Sequence, residues 1–425
     1  MVTGRRAIEA LRNGVPNSDA VRFLGTHQPM VEERFEKLLD QLTSDAEPRA
    51  QAPGILVSGG FGSGKSHVLE YLDHVARSRG FVTSHVVISK ETPLYDPARV
   101  FRSAVESAIV PGRHGVAIQE IALSLHQDSR AYADFYRWAN EPEAALAPIF
   151  PATLLLHERL NNDPELVEQI RSFWAGDPLP VSVVRRALRQ IGEAATFSVK
   201  SVPARYLSEQ RFRFVSGLIR AAGYTGWVLL LDEVELIGRY SLLQRGRSYA
   251  QLARWLGHVE GAGIPGLGAV AAITDDFALN VLDEKHDRDY VGARFRDRGS
   301  EEDLLIAARA EAGMRLIAGE AIRLDPPTDG TLRLTYERIR SVHAAAYAWE
   351  PPEIEVGEVS LSRRMRSHVR RWIHEWDLAR LYPGHTTQTQ EHEFTLSYGE
   401  DPAMEAPEET VGDPDGVAEA TSHDD

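Results

Sequence analysis

Residues Gly54 to Leu72 read GILVSGGFGSGKSHVLEYL, a short apolar strand running into a glycine loop that opens a helix. Gly59, Gly64, Lys65 and Ser66 fill the fixed positions of G-x-x-x-x-G-K-[ST], the phosphate-loop pattern. Ile55, Leu56 and Val57 supply the buried strand before it, and Val68, Leu69 and Leu72 the buried face of the helix after it. Gly59, Gly60, Gly62 and Gly64 lack the Cβ that would block tight curvature, so successive N–H groups can turn inward around phosphate oxygens. The helix adds the positive end of its dipole. Lys65 can reach the β- and γ-phosphates, and the Ser66 hydroxyl is placed to ligate the Mg²⁺ they carry. With Phe61, Ser63 and His67 beside the motif positions, Gly59 to His67 form the expected nucleotide-binding set. The fold class that follows is α/β, a parallel P-loop sheet flanked by helices.

A second signature lies far downstream. Gly226 to Leu231 (GWVLLL) is apolar after its glycine, as in a strand covered on both faces. It ends in Asp232-Glu233, where Asp232 can hold Mg²⁺ through its water shell and Glu233 can orient and polarise an attacking water. Leu267 to Ile273 (LGAVAAI) is a further buried strand, ending at Thr274-Asp275-Asp276. Thr274 can sense the γ-phosphate by hydrogen bond, and it can equally cap the next helix. Arg288, Arg294, Arg296 and Arg298 follow within eleven residues. They read either as a basic edge paired with Asp287, Asp289 and Asp297, or as the source of an arginine finger for a neighbouring subunit's γ-phosphate, with Arg294 or Arg296 as the candidates.

Between these motifs the pattern divides the chain. Segment 1–50 is helical, with Ala7, Ile8 and Leu11 on one face, and Val15 and Pro16 are candidates for an adenine pocket or for plain packing. Segment 51–299 is the nucleotide-binding core, with strands at Ile55 to Val57, Phe81 to Ser89, Gly226 to Leu231 and Leu267 to Ile273. A helix is expected from Pro97 to about Ile109, and another at about Tyr249 to Leu256. From about 112 to 208 the periodicity is helical and too long for a simple crossover, so it reads as a helical insertion. Segment 300–385 reads as a C-terminal helical lobe of lid or winged-helix-like character. Its last helix crowds arginines toward its N-terminal end, at Arg363, Arg364, Arg366, Arg370 and Arg371. That end of a helix dipole disfavours cations, so the arginines read either as a solvated face or as a cluster neutralised by nucleotide phosphate, nucleic-acid phosphate or an acidic segment of the same chain. Arg366 and Arg370 are the candidates for a lid arginine.

The net charge of −15 is not spread evenly. Segment 386–425 holds 12 Asp and Glu and no Lys or Arg, leaving −3 for the rest, and is expected to be disordered. Nucleic acid is therefore not excluded as a partner. The chain has no cysteine, which excludes disulfides, thiolate nucleophiles and cysteine-ligated zinc. No run of about 18 apolar residues could span a membrane, and the polar Met1 to Arg12 does not read as a secretory leader, so a cytoplasmic protein is expected.

Three phrases together, GGFGSGKS at Gly59 to Ser66, GWVLLLDEVELIGRYS at Gly226 to Ser241 and AAITDDF at Ala271 to Phe277, resemble the AAA+ ATPases on their origin-recognition-like side. More narrowly, SKETPLYDPARVF (Ser89 to Phe101), QRGRSYAQLARWLG (Gln244 to Gly257) and RRWIHEWDL (Arg370 to Leu378) resemble the P-loop ATP-binding proteins of bacterial BREX (bacteriophage exclusion) loci. The resemblance runs from Met1 to about Gly384. It implies ATP and Mg²⁺ as cofactors, Lys65 and Ser66 on phosphate and metal, Asp232 on metal, Glu233 as catalytic base and Thr274 as first sensor. It also implies antiphage defence beside partner proteins, one of them helicase-like, together with self-association and a role coupled to DNA. Two other classes share the loop. A small-molecule kinase usually lacks a base directly after the metal-holding Asp, so Asp232-Glu233 argues for hydrolysis. A scaffold that binds ATP without turnover is disfavoured, though not excluded, by the intact Lys65, Ser66, Asp232 and Glu233.

Overall fold

The computed structural model describes residues 2–14, 17–43, 53–357, 365–382, 398–401 and 404. Three helices precede the first strand: α1 (Val2–Asn13), α2 (Ser18–Leu24) and α3 (Pro29–Thr43). The strand β1 (Ile55–Ser58) then enters the glycine loop, and α4 (Lys65–Ser78) leaves it. Next come β2 (Val82–Val87), α5 (Pro97–Glu106) and a short strand β3 (Ala108–Ile109). The insertion comprises α6 (Ala117–Leu123), α7 (Arg130–Asn140), α8 (Ile149–Arg159), α9 (Pro164–Ala175) and α10 (Val181–Gln190), and α11 (Ala204–Ala221) returns the chain to β4 (Trp227–Asp232). Then follow α12 (Leu242–Trp255), β5 (Leu267–Ile273), α13 (Asp287–Arg298), α14 (Glu301–Gly319), β6 (Ile322–Arg323), α15 (Asp329–Tyr347) and α16 (Met365–Leu381).

The six strands form one sheet in the order β3-β2-β4-β5-β1-β6, parallel except for the antiparallel edge pair β2–β3. Strands β1, β4 and β5 are buried along their whole length, as parallel strands covered on both faces should be. Strand alternation splits them between two cores. Leu229, Leu231, Ala269 and Ala271 face the core that includes the insertion, while Val57, Val228, Leu230, Val270 and Ala272 face the one with α3 and α4. Because β5 lies between β1 and β4, all three strand tips open at one carboxyl edge.

Four boundaries differ from the sequence expectation. Helix α5 stops at Glu106, since Val110 precedes Pro111 and is biased to extended backbone, and Ala108–Ile109 pair with the sheet edge instead. Helix α12 starts at Leu242 because Ser241 and Gln244 form a capping box. The segment 300–385 is not one lobe. Helix α14 packs so tightly on α12 that a Cβ at Gly313 would lie 2.1 Å from the Tyr249 carbonyl oxygen, and β6 pairs with β1. Among the described residues of 300–385 the only strand is β6. The separate lobe is made by α15 and α16 with α1 and α2, around Trp372, Ile373, Trp376, Ile339 and Ile8. Finally, the acidic tail is not uniformly unstructured. Tyr398 is buried, and Lys285 Nζ donates to its carbonyl oxygen, while Arg245 pairs with Glu400 at 2.8 Å and Arg239 with Asp401 at 2.9 Å. The other residues of 386–425, apart from Gly399 and Met404, lie outside the described residues.

Candidate nucleotide site

A cavity of about 520 Å³ opens at the carboxyl edge of the sheet, a size that suits a nucleotide. Its floor is the glycine loop from Phe61 to Val68. Gly64 holds φ +104°, outside the range a side-chain-bearing residue adopts without strain, and Gly62 holds φ +75°. Those two angles let the loop curl and still deliver Lys65 into the first turn of α4. His67, two residues further, joins its Nε2 to the Gly25 carbonyl oxygen at 2.7 Å, fastening the α2 exit over the cavity.

Lys65 is only 7% exposed. Its ammonium donates to the Gly59 carbonyl oxygen at 3.1 Å and lies 3.3 Å from Glu235 Oε1. Glu235 is 1% exposed and its other oxygen has no partner. Burial pushes its carboxyl up to about 7, with Lys65 pulling the other way. Asp232 behaves oppositely. Burial alone would raise it, but the His85 ring 3.6 Å away, the Ser66 hydroxyl and the Glu233 N–H, which donates to Oδ1 at 2.9 Å, together hold it below the usual carboxylate range. His85 is raised in turn, burial being outweighed by Asp232. The Ser66 hydroxyl and the Asp232 carboxylate are hard oxygen donors that fit Mg²⁺. Among the described residues no group of three or more His, Asp or Glu could hold a metal ion.

Glu233 sits at φ +58°, ψ +32°, the left-handed region that is costly for a residue with a side chain. That backbone lets the chain turn from β4 into the 3₁₀ turn Val234–Arg239 and keeps the Glu233 side chain on the cavity wall. Burial and then Asp232 raise its carboxyl, while Lys65 and Arg366 oppose the rise. Thr274 is 3% exposed and does not line the cavity. Its Oγ1 lies 2.6 Å from the Tyr398 hydroxyl, which donates to Asp276 Oδ1 at 2.9 Å. Since that proton goes to Asp276, the Thr274 hydroxyl is the donor toward Tyr398.

The remaining candidates divide. Arg366 lines the cavity and donates to the Gly14 carbonyl oxygen at 2.5 Å. Arg370 is exposed and does not line it. It falls on the outer face of α16, whose inner face packs Val369, Trp372 and Ile373. Arg294 and Arg296 are exposed on α13, away from this cavity, and Arg296 pairs with Glu311 of α14. Val15 and Pro16 lie outside the described residues. The segment around them does cover the site: Leu11, Gly14 and Leu24 to Gln28 line the cavity. Gln28 clamps that cover by donating from Nε2 to the Asp325 carbonyl oxygen at 3.1 Å and accepting the Asp325 N–H at 2.8 Å. Sequence reasoning missed His85, Glu235 and Tyr398. For Glu235 a signal existed, two residues past the acidic pair and inside the phrase DEVEL.

The chain matches the family described as BREX system ATP-binding protein BrxC/D over residues 3–123 and 209–378. It belongs to that family. BREX association and ATP binding follow from that membership, and BREX membership implies other components of the system. The unmatched stretch between the two blocks covers α7 to α10, so the match lies on the sheet, its flanking helices and the lobe of α1, α2, α15 and α16. No curated protein and no solved structure matches the chain. No helix of the described residues is long and apolar enough to cross a membrane.

Proposed function

We propose that this BREX-family protein is a Mg²⁺-dependent, AAA+-type ATPase of the cytoplasm, a switch or motor that assembles with itself and with other BREX components, one of them helicase-like, on DNA. One observation carries the chemistry: Lys65, Ser66, Asp232 and Glu233, separated by more than 160 residues in sequence, line one nucleotide-sized cavity. In this reading Lys65 holds the β- and γ-phosphates, and Ser66 with Asp232 holds the metal. Glu233 takes the proton of the attacking water, and its raised carboxyl moves it toward the working pH of a general base. The metal supplies charge neutralisation on the phosphate oxygens. Arg366 reaches the same cavity from the lobe, as a lid arginine would. Thr274 is the sensor once Tyr398 releases it. Arg294 and Arg296 remain the candidates for a finger offered to a second copy.

The test is turnover of Mg-ATP by the full chain. Glu233→Gln should keep ATP binding and lose turnover by about 10²- to 10⁴-fold, while Lys65→Ala should lose binding. Parental turnover in Glu233→Gln would remove Glu233 as the base. A specific observation supports a second reading, a regulator whose turnover waits for a partner. Lys65 is engaged by Glu235 and Thr274 by Tyr398, so two of the groups the chemistry needs are held elsewhere. Tight ATP binding without turnover in either the presence or absence of DNA would favour it.

A further inference from the structure

A second, larger concavity lies apart from the nucleotide cavity, between the insertion with α11 on one side and α12 with α14 on the other. Its volume is about 1630 Å³, well beyond the several hundred Å³ typical of a small-molecule site. Eight Lys or Arg line it against five Asp or Glu, in a protein whose overall charge is negative. Most of those acids are already engaged: Asp96 with Arg99 at 3.3 Å, Glu209 with Arg254 at 3.2 Å and Asp303 with Arg298 at 3.2 Å. Arg247 and Arg309 have no ion-pair partner among the described residues, and both are half-buried in the cleft wall.

Two deeper guanidiniums make this more than a basic surface. Arg254 is 3% exposed with its Nη2 unpartnered, and Arg211 is 5% exposed with its Nε unpartnered. Each rests on an aromatic ring, Arg254 over Trp255 and Arg211 over Phe173, so their placement is fixed by the fold. Burial, Arg213 and Arg309 push Arg254 below its ordinary value, with Glu209 opposing, and burial and Arg102 push Arg211 down to about 10. Such a wall leaves unspent N–H donors on two buried guanidiniums, of which Arg254 is paired with Glu209, and with Arg247 and Arg309 it focuses a positive field into the cleft. Beside the arginines the cleft also presents Tyr206, 52% exposed, and Leu305, 50% exposed.

We infer that this cleft binds the backbone of a single-stranded nucleic acid, with Arg247 and Arg309 on its phosphates and Tyr206 under a base. Phosphate needs the guanidiniums, a base needs a flat apolar face, and the volume of about 1630 Å³ leaves room for more than one nucleotide. A single strand can turn phosphates and an unstacked base to the same wall, whereas a duplex keeps its bases paired inside and offers Tyr206 no base face. An acidic protein segment would use the arginines but has no need of the aromatic face. This gives the nucleic-acid association proposed above a location, and it shares no residue with the nucleotide cavity.

The experiment uses the full chain and a labelled oligothymidylate of about 20 nucleotides, read by fluorescence anisotropy across several salt concentrations. The parent should prefer this probe to a duplex of equal length, and Arg247→Ala/Arg309→Ala should bind it at least tenfold more weakly. Removing two phosphate contacts should also lower the slope of log K against log[salt] by about 1.4, at roughly 0.7 per contact on a single strand. A Tyr206→Leu variant should weaken binding with the slope unchanged. Binding of an ATP analogue, measured in parallel, should be the same in parent and variants, which separates failure at this cleft from failure of the nucleotide reading or of folding. Three results would overturn the assignment: no binding by the parent at low salt, equal affinity in parent and double variant, or displacement by polyglutamate as effective as by oligothymidylate. The last would assign the cleft to an acidic protein.

Discussion

Replacing Glu235 by Gln tests whether the Lys65–Glu235 pair is a resting contact that nucleotide must break. Glu235 has a carboxyl near 7, so in the free protein it is about half ionised at pH 7 and about nine-tenths ionised at pH 8. When Lys65 turns to phosphate, Glu235 loses the only cation within ion-pairing distance among the described residues and gains anionic neighbours. Both changes raise its carboxyl further, so ATP binding should draw in a proton: about 0.5 per site at pH 7 and about 0.9 at pH 8. A binding step that takes up protons weakens as pH rises, so affinity should fall between pH 6 and 8. In Glu235→Gln the uptake should vanish and the fall should flatten.

The size of the affinity change follows from the geometry. At 3.3 Å and an effective dielectric of about 20, the full ion pair has a gross attraction of about 5 kcal/mol. Most of that is returned when Lys65 meets phosphate instead, leaving a penalty of about 1 to 2 kcal/mol on binding, or roughly tenfold. Glu235→Gln should therefore bind ATP about tenfold more tightly at pH 8 and little differently at pH 5.5. Isothermal titration calorimetry in two buffers of different ionisation enthalpy reads both the affinity and the proton count. Equal proton uptake by parent and variant at pH 8 would refute the reasoning, since the proton would then go elsewhere. A linked effect concerns the nucleotide-free protein. A carboxyl raised from 4.5 to about 7 makes the folded state bind more protons than the unfolded one, so its contribution to stability is full below pH 4.5 and is lost as pH climbs through 7.

Further perturbations have definite outcomes. Asp287→Asn takes the buried anion from Arg245, 3% exposed and held to it by two bonds of 2.7 and 2.8 Å, leaving only the exposed Glu400 carboxylate beside it, and should lower stability by about 3 kcal/mol in a denaturant titration. Tyr398→Phe removes the hydroxyl that accepts from Thr274 and should raise ATP turnover several-fold; a fall would mean that Tyr398 supports the sensor rather than restraining it. Gly64→Ala has open space for its Cβ, so any loss comes from the φ of +104° alone, about 1 to 3 kcal/mol, and should appear as weakened nucleotide binding with the sheet intact by circular dichroism.

What the sequence disclosed and what it withheld follow from the range of the interactions involved. The glycine loop, Asp232-Glu233 and the buried strands are local patterns: each is carried by neighbouring residues whose types are forced by curvature, by phosphate or by burial on two faces. The four central strands were accordingly legible, and so were the residues that line the cavity floor. The missed elements are fixed by partners distant in sequence. Strand β6 has two residues, too few for any periodicity, and exists because β1 offers it an edge. Helix α14 looks like part of a helical lobe until Gly313 is seen against the Tyr249 backbone. His85 looks like one more residue of a strand, and only the parallel pairing of β2 with β4, which sets Val87 against Asp232, brings its ring to the Asp232 carboxylate. Tyr398 is the sharpest case. Its surroundings in sequence are acidic and poor in apolar residues, so composition predicts disorder there. Yet Arg239, Arg245 and Lys285 form a basic seam on the body that neutralises Glu400 and Asp401 and receives the Tyr398 carbonyl. A charged tail can dock where the fold prepares opposite charge, and this docking sets a tyrosine hydroxyl on Thr274, the strand-tip residue proposed as the sensor.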